Sequence, residues 1–307
     1  MSSRLPNISC VGLFCLSNYP DETRYREGLA HLHALGVQTV EPPQPIPRMR
    51  PFAGTDAYRA DAFNALVADP RPQLLMAVRG GSGAARALPL IDFAALKASG
   101  KWLCGYSDTT ALLLAAAAKG CTRLIHGPML CSSLAQEMAS EGFRQEINSL
   151  TAVLAGERNL LPLRARARTL IIRGATGIIR GATGRLFPAN MTLLESLIGT
   201  PYLPNLSGAL LVLEDVNVPA HAIDRTLNHL RQAGILENLA GLAFGHFTEV
   251  EDAEWLPEIL AEYAAHIHGP VLTDFPLGHQ HPSIALPCNR MATLTAAADT
   301  ATLTLAE

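Results

Sequence analysis

The sequence predicts an α/β protein built on an open, mainly parallel sheet. Short apolar runs alternate with helix-forming segments at intervals of about 20 to 30 residues, which is the βαβ pattern. Two polar segments that contain glycine, Arg79–Gly83 and Gly105–Asp108, directly follow apolar runs. Hydrophobic residues make up 49% of the 307-residue chain and charged residues 17%, so there is ample apolar surface for one large domain or two ordinary ones.

The first half of the chain contains five runs with the length of strands. They are Ile8–Leu16, Val37–Val40, Leu74–Val78, Trp102–Cys104 and Leu124–His126. Asp21 is predicted to cap a helix that Gly36 ends, and Thr55 or Asp56 is predicted to cap the next helix. Five prolines between residues 41 and 51 predict an extended surface loop there.

The second half repeats the alternation. Its predicted strands and helices are, in order, helix 190–198, strand 209–213, helix 222–233, strand 241–247, helix 255–266, strand 271–275 and a strand-like stretch from 291 to 305. Before them, Leu163–Arg185 is rich in arginine and repeats I-I-R-G-A-T-G at Ile171–Gly177 and Ile178–Gly184. A duplication this short predicts a surface loop. We therefore expect a first domain over 1–160, a linker loop over 161–188 and a second domain over 189–307.

Charge, cysteine content and hydropathy indicate which partners and which cellular compartment to expect. A net charge of -3 and a pI of 6.4 give no indication of binding to nucleic acid or to an anionic membrane surface. The six cysteines lack C-x-x-C spacing and predict buried free thiols in a reducing compartment. The apolar run near the N-terminus is too short for a signal peptide, and no run approaches a membrane span. We expect a soluble cytoplasmic protein.

Ser107 is the first candidate for chemistry. It lies in Gly105-Tyr106-Ser107-Asp108-Thr109, between an apolar strand and a run of helix formers. A serine at such a bend has its hydroxyl lifted out of the fold beside backbone amides, which suits a nucleophile for acyl transfer. Thr109 stands where the nucleophile-elbow pattern has glycine, so the alternative is that Ser107 or Asp108 caps the following helix.

The glycine loop Arg79–Gly83 follows another predicted strand. It lacks both G-x-G-x-x-G and the G-K-[ST] ending, which argues against a phosphate cradle. Glycine has no side chain, so the backbone of this loop can approach a substrate closely. We therefore expect its backbone amides to bind a substrate oxyanion.

A base and a carboxylate are available in the second half. Glu214 and Asp215 follow an apolar strand, and His279 follows another, so serine, histidine and glutamate could form an acyl-transfer triad. Each has an ordinary alternative. Glu214 could pair with Arg225 and Asp215 could cap the next helix, whereas His279 and His281 could be loop residues or H-x-H metal ligands that lack a third partner. His126 is a rival base.

Several stretches, taken in order, resemble the LD-carboxypeptidases, a family of serine peptidases that includes the microcin C immunity peptidases. The stretches that carry the resemblance are Pro51–Asp56, Ala77–Gly83, Gly105–Ala111, His126–Met129, Asn190–Leu194 with Leu197–Pro201, Val212–Val216 and Gly278–His279. They span nearly the whole chain, so the resemblance concerns both halves.

The resemblance implies a fold and roles for named residues. The fold would be an N-terminal flavodoxin-like, mostly parallel sheet with helices on both faces and a C-terminal β-rich α/β domain, with the site in the cleft between them. Ser107 would be the nucleophile, His279 the base and Glu214 the carboxylate. The backbone N–H groups of Asp108 and Gly81 would form the oxyanion hole, and Arg79 could bind a substrate carboxylate.

The resemblance also implies a reaction and its setting. Family members usually form dimers, so the resemblance implies a homodimer that releases the terminal D-Ala from the cytoplasmic murein tetrapeptide. From the residues themselves we expect no metal, cofactor, nucleic acid or membrane partner. Three departures from the family pattern bear on the substrate: Ser82 in the glycine loop, Pro188-Ala189 before Asn190, and the duplication. The alternatives are an immunity-type peptidase for a peptidyl-nucleotide, for which the loop offers Phe187 as an aromatic platform, and a non-catalytic protein that binds small peptides.

Overall fold

The computed structural model describes residues 5–159, 181–297 and 300–306, which divide into two compact units. Unit 1 comprises Met1–Gly156, Pro201–Pro204 and His281–Cys288. Unit 2 comprises Glu157–Thr200, Asn205–Gln280 and Asn289–Glu307. The expected division was contiguous along the chain, whereas two short segments from the second half belong to unit 1.

The elements are numbered here in chain order within the described residues. The strands are β1 (Cys10–Phe14), β2 (Gln38–Val40), β3 (Leu74–Ala77), β4 (Trp102–Gly105), β5 (Leu124–His126), β6 (Gly181–Asn190), β7 (Leu210–Val216), β8 (Gly241–Thr248), β9 (Val271–Leu272), β10 (Leu286–Cys288), β11 (Arg290–Ala297) and β12 (Thr300–Leu305). The helices are α1 (Glu22–Ala34), α2 (Asp56–Ala68), α3 (Ala84–Ala87), α4 (Phe93–Ser99), α5 (Thr110–Ala118), α6 (Glu141–Ala155), α7 (Met191–Glu195), α8 (Ala220–Gln232) and α9 (Leu256–Ala264).

The sheet of unit 1 has the strand order β10-β5-β4-β3-β1-β2. Its five predicted strands all form and pair in parallel, as the flavodoxin-like prediction requires. The sixth strand, β10, pairs antiparallel with β5 and was not predicted. This strand has only three residues, one of them a proline, and its sequence does not predict a strand. It becomes a strand because it pairs with β5 in the folded protein.

Helix caps and packing in unit 1 follow from local chemistry. The Asp21 side chain accepts from the N–H of Arg24, and Thr55 Oγ1 accepts from the N–H of Tyr58, so both predicted N-caps form. Helix α5 is buried over residues 110–117, which a helix of alanine and leucine without a polar face permits. Its first turn therefore begins inside the core, directly after the 3-10 turn Ser107–Thr109.

The sheet of unit 2 has the order β12-β11-β6-β7-β8-β9. Strands β6 to β9 pair in parallel, and β11 and β12 add two antiparallel strands at one edge. A mostly parallel α/β unit and a second unit with a mixed sheet confirm the predicted fold class. None of the helices in the described ranges has the length and hydropathy needed to cross a bilayer.

The predicted linker loop over 161–188 needs correction at its end. The first copy of the heptapeptide and the start of the second lie outside the described residues, but Gly181–Pro188 forms most of β6. Pairing with β11 makes this segment a strand although its sequence has no strand pattern. Within that pairing, Thr183 Oγ1 lies 2.8 Å from Thr293 Oγ1. A Cβ on Gly184 would lie 2.2 Å from the Gly208 carbonyl oxygen, so a glycine that resembles a loop signal serves close strand packing.

Candidate active site

Ser107 occupies a sharp bend at the carboxyl end of β4. Its φ is +58°, a left-handed conformation that is uncommon for a residue with a side chain. Gly105 makes the bend possible, since a Cβ there would lie 2.8 Å from Thr109 Cγ2 and 2.9 Å from Ala77 Cβ. The N-cap of the 3-10 turn Ser107–Thr109 is Tyr106 and the N-cap of α5 is Thr109, and neither residue makes a side-chain cap hydrogen bond. Ser107 is therefore not the N-cap residue of α5, which differs from the capping alternative.

The glycine loop packs directly against this serine. A Cβ on Gly80 would lie 2.8 Å from both Cβ and Oγ of Ser107 and 3.5 Å from the backbone N of Asp108. Gly81 has φ +118°, and a Cβ there would lie 2.4 Å from Asn18 Cγ. The loop after β3 and the bend after β4 thus meet at one edge of the sheet, with main chain rather than side chains facing the serine.

The Asp108 side chain ties the bend to the glycine loop. Its Oδ2 accepts from Ser17 Oγ at 2.6 Å and from the N–H of Ala84, the first residue of α3, at 2.8 Å. Burial raises the pKa of this carboxyl, and the hydrogen bonds to it act in the opposite direction. The carboxylate caps α3 rather than the helix that follows Ser107, and so it fixes the residue whose N–H was predicted to hold an oxyanion.

Two further side chains that the sequence did not single out hold the same loops. The guanidinium of Arg59 is buried, and it donates to the carbonyls of Leu16 and Gly83. Asn18 Oδ1 accepts from the Ser82 N–H at 3.1 Å and from Ser82 Oγ at 3.2 Å. An arginine in a helix gives no sequence signal of burial, so only the fold shows that Arg59 joins the ends of β1 and β3.

Arg79 lies half-buried beside the glycine loop. Its Nε donates to the Gly80 carbonyl at 3.2 Å, and its Nη1 donates to the Tyr19 carbonyl at 3.1 Å. The guanidinium therefore reaches from the end of β3 towards the chain that leaves β1. Together with Ser107, Asp108 and Gly81, it completes the predicted site residues that unit 1 brings to one sheet edge.

Unit 2 brings the other two predicted residues into contact. His279 Nδ1 lies 2.7 Å from Glu214 Oε2, with the carboxylate fully buried and the imidazole side chain 19% exposed. Burial raises the pKa of Glu214, and the hydrogen bond with His279 opposes that shift. When Nδ1–H donates to the carboxylate, Nε2 carries the lone pair, which is the tautomer that can accept a proton from a nucleophile.

A strand irregularity and two glycines create this pair. The register between β7 and β8 shifts between Leu213 and Asp215, so Glu214 sits at a bulge. A Cβ on Gly245 would lie 2.4 Å from the Leu277 carbonyl oxygen, and Gly278 has φ +143°. Both positions need glycine because the chain before His279 passes against the end of β8.

Asn190 and Asp215 surround the buried glutamate with polar partners. Asn190 Nδ2 donates to Asp215 Oδ1 at 2.8 Å and to Glu214 Oε1 at 3.3 Å. Asp215 Oδ2 accepts from the N–H and Oγ1 of Thr192, at the start of α7. Glu214 thus binds histidine and asparagine rather than Arg225, and Asp215 serves the preceding helix rather than the next one.

The remaining histidine candidates have other positions. His281 Nδ1 lies 2.5 Å from Glu146 Oε1, and both residues belong to unit 1, so the two rings of the H-x-H motif serve different carboxylates. His126 is 1% exposed and packs 5.9 Å from the Tyr106 ring, which shields it from a substrate. Within the described ranges, no group of three histidine, cysteine or acidic residues could hold a metal ion.

The buried cysteines do not offer a rival nucleophile. All six are free thiols, and Cys104 lies in β4 just before the bend. Burial raises the pKa of the Cys104 thiol, which disfavours the reactive thiolate. The Ser107 hydroxyl in unit 1 and the His279 imidazole in unit 2 therefore remain the candidate groups from the sequence analysis.

Comparison with known proteins bears on the same residues. The description "LD-carboxypeptidase N-terminal domain" matches residues 11–127, and "LD-carboxypeptidase C-terminal domain" matches residues 183–294. The first range contains Ser107 and the glycine loop, and the second contains Glu214 and His279. The two matches follow the order that the resemblance predicted.

Three curated relatives cover most of the chain. A Streptomyces coelicolor protein that is provisionally named a carboxypeptidase is 33% identical over 99% of this chain and 95% of its own. The murein tetrapeptide carboxypeptidase of Pseudomonas aeruginosa is 30% identical over 80% of each chain. The microcin C7 self-immunity protein MccF of Escherichia coli is 26% identical over 76% of this chain and 74% of its own.

A solved structure shows the same fold. The muramoyltetrapeptide carboxypeptidase from Oxalobacter formigenes superimposes with a TM-score of 0.81 over 97% of this chain and 99% of its own, at 24% identity. The family descriptions over both halves, with a relative 33% identical over nearly the full length, confirm the resemblance. The chain belongs to the LD-carboxypeptidase family of peptidases.

Proposed function

We propose that this protein is a serine carboxypeptidase that hydrolyses the L,D-amide bond before the terminal D-Ala of the murein tetrapeptide. The observation that carries the proposal is the bend at Ser107, with φ +58° and the backbone of Gly80 against its hydroxyl. A side chain in that conformation with no capping role is expected where a hydroxyl must be presented to a substrate.

In the proposed reaction, Ser107 Oγ attacks the carbonyl carbon of the scissile amide, and His279 Nε2 takes the hydroxyl proton. The N–H groups of Gly81 and Asp108 hold the developing oxyanion. Collapse of the tetrahedral intermediate breaks the C–N bond, and His279 returns the proton to the departing amine of D-Ala. Water, deprotonated by His279, then attacks the acyl ester and frees Ser107. Glu214 keeps the imidazole in the required tautomer and stabilises its charged form.

The substrate is the finer part of the proposal. The Pseudomonas aeruginosa relative is named for the murein tetrapeptide, and that peptide ends in a free carboxylate. Arg79, beside the glycine loop, supplies a cation for it. The six buried free thiols suit a reducing cytoplasm. We further propose a homodimer, which light scattering on the purified protein checks.

The test measures D-Ala release from L-Ala-γ-D-Glu-diaminopimelate-D-Ala by wild type, Ser107→Ala and Glu214→Gln. Wild type should release D-Ala, and Ser107→Ala should reduce kcat to background while thermal unfolding stays nearly unchanged. Glu214→Gln should reduce kcat by about 10²–10⁴-fold because the amide no longer fixes the imidazole tautomer. A Ser107→Ala protein that retained activity, or one that unfolded, would contradict the nucleophile assignment.

The two alternatives are separate outcomes of that experiment. Phe187, offered as an aromatic platform for a nucleobase, is 1% exposed within β6 and so is not available to stack on a ligand. If wild type released no D-Ala but cleaved a peptidyl-adenylate analogue, the immunity-type activity would replace the proposal. Binding of the tetrapeptide without cleavage of either substrate would indicate the non-catalytic peptide-binding protein.

A further inference from the structure

Helix α6 carries a carboxylate on its buried face. Its buried residues are Phe143, Glu146, Leu150, Val153 and Leu154. Glu146 is 1% exposed, although an apolar side chain would fill the same position without the cost of taking a charge out of water. The family assignment and the proposed reaction do not explain an acid at this position, so its reason must lie in the groups that it binds.

The partners of Glu146 lie in one segment of unit 1 that comes from the second half of the chain. Glu146 Oε1 lies 2.5 Å from His281 Nδ1 and accepts the Ser283 N–H at 3.0 Å. Three residues further along α6, Ser149 Oγ accepts the N–H of Ala285 at 2.8 Å. Residues three apart share a face of a helix, so one row of side chains on α6 holds this segment.

The segment begins directly after the residues that carry the proposed base. His279 and Gln280 end a stretch of unit 2, and His281 is the next residue and the first of the segment that belongs to unit 1. Two extended residues span at most about 7 Å, so the contact of the His281 ring with α6 fixes the chain close to His279.

The chain on the other side of the base is also held. The Leu277 carbonyl accepts the N–H of His246 on β8 at 2.7 Å, and a Cβ on Gly278 would lie 2.9 Å from the His246 carbonyl oxygen. The base therefore lies in a short stretch, residues 278–280, between a contact with β8 and a contact with α6. Loss of the second contact would let the chain after His279 adopt more conformations.

We propose that Glu146, through His281, is a positioning residue of the reaction. The pair restricts the imidazole of His279 to the orientation in which it takes and returns the proton. The inference rests on the proposed carboxypeptidase function and adds to it two residues that act through the base. Glu214 fixes the tautomer of the imidazole, whereas Glu146 fixes the course of the chain that carries it. A misplacement of about 1 Å in a catalytic group can cost about 10²-fold in rate.

The test compares His281→Ala with His281→Asn for D-Ala release from the tetrapeptide. Asparagine carries an N–H donor at the δ position, where histidine has Nδ1, so it can keep the bond to Glu146. His281→Ala should lower kcat by about 10–100-fold with KM within about threefold, because the substrate still binds while the base is misplaced. His281→Asn should recover most of that loss. Wild-type kcat in His281→Ala, or an asparagine variant as slow as the alanine variant, would overturn the inference.

His229→Ala is the matched control. His229 Nδ1 on α8 lies 3.0 Å from Glu195 Oε1 on α7, so this variant removes another pair of histidine and glutamate. It should leave kcat and KM unchanged. A loss of kcat as large as that of His281→Ala would mean that the loss of any such pair slows the enzyme, and it would overturn the role given to Glu146.

Hydrogen exchange separates failure of this inference from failure of the proposed function. Mass spectrometry of peptides that cover residues 275–285 should show faster amide exchange at residues 278–280 in His281→Ala than in wild type, His281→Asn or His229→Ala. Equal exchange in all four proteins would overturn the inference whatever their activity. Wild type that releases no D-Ala would overturn the proposed function instead, and the exchange result would still decide whether the pair holds the base.

Discussion

At the scale of single residues, buried carboxylates organise both halves of the proposed site. Asp108 accepts hydrogen bonds from the Ser17 hydroxyl and from the first N–H of α3. Glu214 is hydrogen-bonded to His279 and Asn190. Burial raises the pKa of both acids because each has left water, and their hydrogen bonds oppose that effect. The same interactions that orient the neighbouring groups therefore make stability depend on pH.

Asp108→Asn should remove one pH-dependent part of that stability. The folded state holds the Asp108 proton more tightly than the unfolded state, so its contribution to the free energy of unfolding falls as pH rises from the ordinary pKa of 3.8 to the raised one. Asparagine keeps an acceptor oxygen and cannot ionise. Denaturant unfolding across this window should show the variant gaining stability relative to wild type as pH rises.

Asp69→Asn provides a control with the opposite sign. Hydrogen bonds from Arg71 lower the pKa of the half-buried Asp69 carboxyl to about 2, so its stabilising contribution is present above pH 3.8 and is lost as pH falls towards 2. The variant should therefore lose stability relative to wild type as pH rises through that window. If both variants changed in the same direction, the pH dependence would come from other groups.

At the scale of elements, the site depends on where main chain approaches main chain. The glycine loop lies against the bend of Ser107, and Gly245 and Gly278 let the chain before His279 pass beside Glu214. In both units a glycine after a strand makes room for a reactive side chain on the neighbouring segment. Small backbone displacements at these positions should therefore affect catalysis more than stability.

Gly80→Ala tests this expectation. Its added methyl group would lie 2.8 Å from Ser107 Oγ, so either the loop or the serine must shift. We expect kcat for D-Ala release to fall by about 10²-fold because the nucleophile and the oxyanion donors lose their alignment.

Gly100→Ala is the comparison, because Gly100 has φ +64° and open space around its position. It should cost about 1 kcal/mol of stability through backbone strain and leave kcat unchanged. Loss of kcat in both variants would mean that the effect is one of general stability.

At the scale of the whole molecule, each unit is assembled from segments that are distant in sequence. Unit 1 takes His281–Cys288 from the second half of the chain, where β10 pairs with β5. In the same segment, His281 Nδ1 and the Ser283 N–H both contact Oε1 of Glu146, a side chain that is almost fully buried on α6. The first 160 residues alone therefore lack parts of their own sheet and core.

We expect a fragment of residues 1–160 not to fold into a stable domain. Without the distant segment, the β5 edge is unpaired and the buried Glu146 carboxylate loses two partners, and both changes are costly. Circular dichroism and size exclusion should show loss of cooperative unfolding or association. A monomeric fragment that unfolds cooperatively near the temperature of the full chain would contradict this expectation.

The sequence by itself determined the local part of this protein. The apolar runs predicted β1, β3, β4, β5, β7 and β8, and the caps at Asp21 and Thr55 were predicted as well, because strand and cap preferences depend on neighbouring residues. The motif stretches, taken in order, also predicted the family, and that resemblance implied the roles of Ser107, Glu214 and His279. Only the tertiary structure decided that Gly181–Pro188 and Leu286–Cys288 are strands, that Arg59 is buried, and that Glu214 pairs with His279 rather than Arg225. These outcomes depend on contacts between residues far apart in the chain, which local composition cannot encode.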